Sequence, residues 1–179
     1  MAVLLISEKR VKETTSISDN VAGKYIQPSI VEAQEQGFRH IVGEALYRRI
    51  VELVERRQIE LPENGQYKAL LDEAQYYLAY KTVMELCMRV SYKIGNFGVA
   101  KSSDENLQVA SFEEIVSQRD YYQCKVDSYC YDLQSWLLCH KAAFPDLSDC
   151  DCNRIKSNIY SAASCGVFLG GARGKIIRR

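Results

Sequence analysis

The chain has 179 residues and a mass of 20.4 kDa, with 47% apolar and 26% charged residues, which excludes wholesale disorder and fits one folded domain with arms. Lys plus Arg and Asp plus Glu both number 23, a balance that disfavours a nucleic-acid binder working by bulk phosphate neutralisation. Seven cysteines, a start (MAVLLISEKR) with only five apolar residues in a row, and no stretch near the roughly 18–20 apolar residues of a bilayer span read as a protein with free thiols in a reducing cytoplasm and no membrane partner.

In chain order, residues 1–18 read as an extended N-terminal arm, with Ala2–Ile6 able to add a strand to a neighbour. Thr14, Thr15, Ser16 and Ser18 disfavour helix because their hydroxyls compete for backbone groups. Val21, Tyr25, Ile30 and Ala33 have helical spacing over residues 21–36, with a kink or break expected at Pro28 and a stop at Gly37. A second helix is expected from about Ile41 to Gln58 on the stripe Ile41, Leu46, Ile50, Leu53 and Val54. Leu61-Pro62-Glu63-Asn64-Gly65 is a loop by composition.

A third, long helix follows from about Gln66 to Ile94, stopped by Gly95-Asn96-Phe97-Gly98, with Lys101–Gln108 as a polar linker. The fourth has the clearest start in the chain, since Ser111 and Glu114 form a capping box, and its apolar pattern persists to Ala143 before Phe144-Pro145. These two helices should pack as an antiparallel pair. The fold class is therefore all-α, an elongated helical bundle on two long antiparallel helices with extended arms at both ends. The bundle spans residues 19–145. Residues 146–179 form a C-terminal extension in which Asn153–Ala163 gives a short helix and Cys165–Leu169 an apolar strand, ahead of a basic Gly-rich tail.

No active site emerges from the sequence. Gly170-Gly171-Ala172-Arg173-Gly174-Lys175 fails as a phosphate loop, because position 169 is Leu rather than Gly, Ile176 replaces the Mg²⁺-binding Ser or Thr, and no helix follows. Cys139, His140, Cys150 and Cys152 lack the two tight pairs of a structural zinc site. His40 and His140 have no Glu three residues before them, which removes a di-metal bundle site. The reading is a protein that is not an enzyme and needs no cofactor or metal.

Tyrosine is unusually frequent: there are 12, against 5 Phe and 1 Trp. Tyr76, Tyr77, Tyr80, Tyr121, Tyr122, Tyr129 and Tyr131 cannot all satisfy their hydroxyls in one small core, so some belong to its rim or to a partner surface. Val167, Phe168, Leu169, Ile176 and Ile177 likewise need a cover, and the tail carries Arg173, Lys175, Arg178 and Arg179 without an acid.

The strings Asp19-Asn20, Tyr25-Ile26-Gln27-Pro28-Ser29-Ile30, Ala33-Gln34, Ile41-Val42-Gly43 and Leu46-Tyr47, with Tyr160–Gly166 and the Gly-Gly-Ala-Arg-Gly-Lys end, resemble phage and prophage head–tail connector (adaptor) proteins. The resemblance implies a structural virion protein at the head–tail neck, assembled in the host cytoplasm. It implies a ring, commonly of twelve copies, beneath the portal protein of a tailed-phage capsid. Such a ring extends the DNA channel, passes DNA without sequence-specific binding and offers a platform to the next tail or neck protein. On that footing Val167, Phe168, Leu169, Arg173, Lys175, Ile176, Ile177, Arg178 and Arg179 form the partner-binding arm, and Tyr76, Tyr77, Tyr80, Tyr121 and Tyr122 are candidates for contacts between subunits. The Gly-rich tail is longer than in compact connectors. The alternative is another tail-completion or helical scaffold protein without enzymatic activity.

Overall fold

A computed structural model describes residues 3–95, 98–101, 111–148, 151–152 and 154–156. Among the described residues the fold is all-α with one small β-hairpin. Its frame is two long helices, α5 (Gly65–Ser91) and α6 (Phe112–Cys139), each about 40 Å long at 1.5 Å per residue. They run antiparallel. Tyr67 meets Phe144, which follows α6, Tyr76 meets Tyr129, and Tyr80 meets Tyr122, so partners advance along one helix as they recede along the other. The capping box holds: Ser111 Oγ accepts from the Glu114 N–H at 3.2 Å, and the Glu114 carboxylate accepts from the Ser111 N–H at 2.6 Å.

α5 ends sooner than its apolar pattern predicts. Residues 92–95 leave the helix as strand β1 (Tyr92–Gly95), paired antiparallel with β2 (Gly98–Lys101), with Gly95 opposite Gly98. Part of the expected helix and the first residue of the expected linker are thus a hairpin. α6 is shorter than expected as well. It stops at Cys139, and Lys141–Ala143 form one 3₁₀ turn.

The remaining helices pack against this frame. α2 (Gly23–Glu32) carries Pro28 inside it and passes directly into a π-helical turn (Ala33–Phe38) and then α3 (Arg39–Val42). Proline therefore does not end this helix, and Gly37 is not its stop. Gly37 sits inside the π-turn, where the Tyr77 hydroxyl of α5 occupies the space a side chain would need: a Cβ there would come within 2.5 Å of it.

The chain breaks instead at Gly43, whose φ of 87° is open to glycine and strained for other residues, and α4 (Glu44–Glu55) begins there. The continuous helix expected over residues 41–58 is thus two helices. α4 buries Leu46, Tyr47, Ile50 and Leu53. It closes with a Schellman pattern: Arg57 adopts a φ of 56°, Gln58 N–H donates to Leu53 C=O (2.8 Å), and Arg57 N–H donates to Val54 C=O (3.0 Å).

Both flanking segments differ from expectation. Residues 1–18 were expected to form an extended arm, but the described part folds back onto the bundle through α1 (Glu8–Thr14). Ser7 caps α1 by accepting from Arg10 N–H, while Ile6 before the cap and Val11 in the first full turn are both buried, a hydrophobic staple. The break after Thr14 does occur where the hydroxyl-rich stretch begins. At the other end the core continues past Pro145, because Leu147, Cys152 and Ile155 are buried in the same cluster as Phe144. Tyr67 Oη donates to Asp146 Oδ2 at 2.9 Å, and Arg154 reaches the Ile41 carbonyl at 3.4 Å. Residues 151–152 and 154–156 are helical, and the rest of the helix expected over 153–163 lies outside the described residues.

Candidate interaction surface

The tyrosines divide between core and surface, and helix geometry decides which go where. Tyr76 and Tyr77 are neighbours in sequence, hence about 100° apart around α5. Tyr77 turns inward and is 4% exposed, which removes it from the candidate contact residues. Its phenol is pushed above the usual range by burial. Tyr76 turns outward and is 49% exposed. Tyr80, one turn on, lies beside it on the same face, half-buried.

From α6, Tyr129 lies between these two. Its ring stacks on Tyr76 (centroids 5.5 Å apart, planes 16° apart) and on Tyr80 (5.2 Å, 24°). The row continues to Tyr122, 6.3 Å from Tyr80, and to Tyr121, which meets Tyr122 edge-on at 5.4 Å. Lys125 places its ammonium 5.7 Å from the Tyr121 ring centroid. Tyr121 is 55% exposed, whereas Tyr122 is buried and anchors the row from within.

Five aromatic rings thus form a continuous ladder across the α5–α6 seam, with both ends open to solvent. Offset stacking of this kind fixes the rings before any partner arrives, so little side-chain entropy remains to be lost on contact. Partial burial, followed by the surrounding phenols, raises the Tyr80 pKa. Its chemistry suits packing against another macromolecule through rings and hydroxyls. Tyr129, named from the sequence only among the excess tyrosines and not as a contact between subunits, and Lys125, not named at all, both belong to this surface. Their spacing carried the signal, since Tyr122 and Tyr129 are seven apart and Tyr121 and Lys125 four apart, both single-face separations on a helix.

Beside the ladder an open apolar groove of about 430 Å³ runs between α5 and α6, lined by Val83, Leu86, Ile115 and Tyr122 and bordered by Ile17 and Val21. Ser16 Oγ lies 3.4 Å from Tyr122 Oη and joins groove to ladder. Elsewhere, Arg39 sits between the Glu35 and Glu44 carboxylates; its ion pairs with them raise its own pKa, and the Arg39 pairing lowers that of Glu44. These charges are mutually paired, and Arg154 pairs with Asp151 nearby.

The remaining sequence candidates separate. Among the described residues, no group of three His, Cys, Asp or Glu side chains is placed to hold a metal ion, and no helix is long and apolar enough to cross a membrane. Cys139 and His140 are exposed at the end of α6, where the His140 ring stacks on Trp136 at 4.1 Å, whereas Cys152 is buried. Val167, Phe168, Leu169, Arg173, Lys175, Ile176, Ile177, Arg178 and Arg179 lie outside the described residues.

No curated protein and no solved structure matches the chain. A family of unknown function, DUF6712, matches residues 38–157, from the end of the π-turn through both long helices and on to the last described residues of the core. The match spans well over half of the 179 residues, and the chain belongs to the DUF6712 family.

Proposed function

We propose that this chain is a head–tail connector (adaptor) subunit of a tailed phage, one copy of a ring beneath the portal that extends the DNA channel and joins capsid to tail. The resemblance of the segments around Tyr25–Ile30, Ile41–Gly43 and the Gly-rich end supports the reading. The observation that carries it is the tyrosine ladder, a rigid and partly exposed aromatic face on two stiff antiparallel helices. A ring subunit needs such a wedge with preformed side contacts, repeated head to tail until the rotation closes. Around twelve copies is what the resemblance implies. The basic tail, with Arg173, Lys175, Arg178 and Arg179, would then meet the portal, a neighbour or DNA.

Negative-stain imaging of the full-length protein mixed with its portal tests this. Rings stacked on the narrow end of the portal are expected. A Tyr76→Ala, Tyr121→Ala double variant should keep the helical circular-dichroism spectrum and lose the rings. Portals that remain bare in the presence of folded wild-type protein would overturn the reading.

A further inference from the structure

Gln34 is 2% exposed and sits in the π-turn, yet its amide bonds to no neighbour in its own helix. Its Oε1 accepts from Leu5 N–H at 2.7 Å and its Nε2 donates to Val3 C=O at 3.0 Å. From α5, Gln75 Nε2 donates to Leu71 C=O at 3.0 Å and makes a longer contact of 3.4 Å to Leu5 C=O. Two side-chain amides from two elements therefore hold the main chain of residues 3–5. Leu5, Ile6 and Val11 fill the apolar space beside them.

We propose that the pocket between the π-turn and α5 is a peptide-binding site that reads main chain, with residues 3–11 as its resident ligand, and that a second copy of this chain supplies the same segment in exchange. Over residues 3–5 polar recognition falls on backbone groups, which any copy presents identically, while the Glu8 carboxylate, accepting from Gln27 Nε2 at 2.6 Å, and the apolar anchors travel with the segment. The tether permits the exchange. Thr15 to Ala22 are non-helical, and eight residues reach about 26 Å when extended. The tether is held by Lys12 Nζ to the Asp19 carbonyl, by the Ser16–Tyr122 contact and by Ile17 and Val21, which pack half-buried against the core and must be released for the exchange.

Because a short flexible tether gives an effective concentration on the order of millimolar, the chain's own segment occupies the site in dilute solution. Neighbours compete once copies are crowded to about that level. Any assembly that crowds copies meets this condition, so the proposal stands apart from the connector reading.

The test uses full-length chains. One copy carries p-benzoylphenylalanine in place of Leu4, which is half-buried beside the site. The other is wild type with a size tag. The two are equilibrated together at about 10 µM and at about 1 mM, irradiated, and the cross-linked peptides are mapped. Intrachain links to peptides containing Gln34 or Gln75 are expected at the lower concentration. At the higher one, interchain links to the same peptides should reach about half of the total. Interchain yield that stays negligible at 1 mM would overturn the exchange, and links mapping elsewhere on the molecule would overturn the site.

Gln34→Leu in the tagged copy removes two hydrogen bonds at constant burial, and should cut its interchain yield about tenfold. An undiminished yield would overturn main-chain reading. Should that variant not fold, the wild-type concentration series still decides the exchange and the location of the site.

Discussion

Replacing Gly37 by Ala isolates what holds the π-turn against α5. The new Cβ would lie 2.5 Å from Tyr77 Oη and 3.3 Å from its Cζ. The hydroxyl is the end of a side chain that is 4% exposed and embedded in the core, so it has little room to withdraw. Overpacking of this kind costs about 1–3 kcal/mol. Exchanging glycine for alanine inside a helix returns about 1 kcal/mol. The net expectation for Gly37→Ala is a loss of about 1 kcal/mol.

On a Tyr77→Phe background the 2.5 Å contact is gone and the nearest remaining atom is the ring carbon at 3.3 Å. The small displacement this requires is cheap, and Gly37→Ala should become neutral or stabilising by up to about 1 kcal/mol. The coupling energy between the two substitutions is then about 1–2 kcal/mol. Urea unfolding followed by circular dichroism at 222 nm measures it. With a slope of about 2 kcal/mol per molar urea, the midpoint for Gly37→Ala falls by about 0.5 M in the wild-type background and does not fall in Tyr77→Phe. Equal losses in both backgrounds would mean that the hydroxyl is not what excludes a side chain at position 37.

Two further outcomes follow from burial and charge. The Tyr47 phenol is raised to about 12 by burial and by its 2.8 Å hydrogen bond to the Glu35 carboxylate. An unfolded tyrosine ionises near 10, so the contribution of the neutral phenol is whole below that pH and is lost as pH rises through about 12, about 3 kcal/mol in all. Tyr47→Phe should flatten the decline in stability between pH 10 and 12, and parallel declines in variant and wild type would count against the assignment. Thiol chemistry should divide the described cysteines: Cys124 and Cys139 are exposed, Cys152 is buried, and burial raises the thiols of Cys87 and Cys130, the latter to about 11. Brief alkylation at pH 8 with peptide mapping should label Cys124 and Cys139 at least about tenfold faster than the other three.

What could be read from the sequence depended on how far apart the interacting residues stand. The start of α6 was readable because Ser111 and Glu114 satisfy one another across three residues. The staple of α1 was equally local, in Ile6, Ser7 and Val11, but the hydroxyl run that follows obscured it. The break at Gly43 was not readable. The helical stripe runs straight through it, and the Asp151 carboxylate that packs against its Cα comes from the far end of the chain. The π-turn is likewise set by Tyr77 across the core and by the backbone of Val3 and Leu5. Among the tyrosines, the excess pointed to a surface role, but the inward turn of Tyr77 and Tyr122 and the stacking of Tyr129 depend on how α5 and α6 pair. The buried Gln34 gave no warning, since a lone glutamine in a helical pattern usually points to solvent.

The helix that runs from Gly23 to Val42 counts its residues. Ala33–Phe38 hold one more residue than the same span of α-helix would need, and each helical residue turns the chain by about 100°. Removing the extra residue between 33 and 38 would let the backbone become regular α-helix while Ile41 and Val42 keep roughly their direction relative to Ile26 and Ile30 in the core they share, because the π-turn winds less per residue than α-helix. A one-residue gap here in a related chain would therefore mark a regularised helix that keeps its core face and gives up the wide turn that carries Gln34 and Gly37.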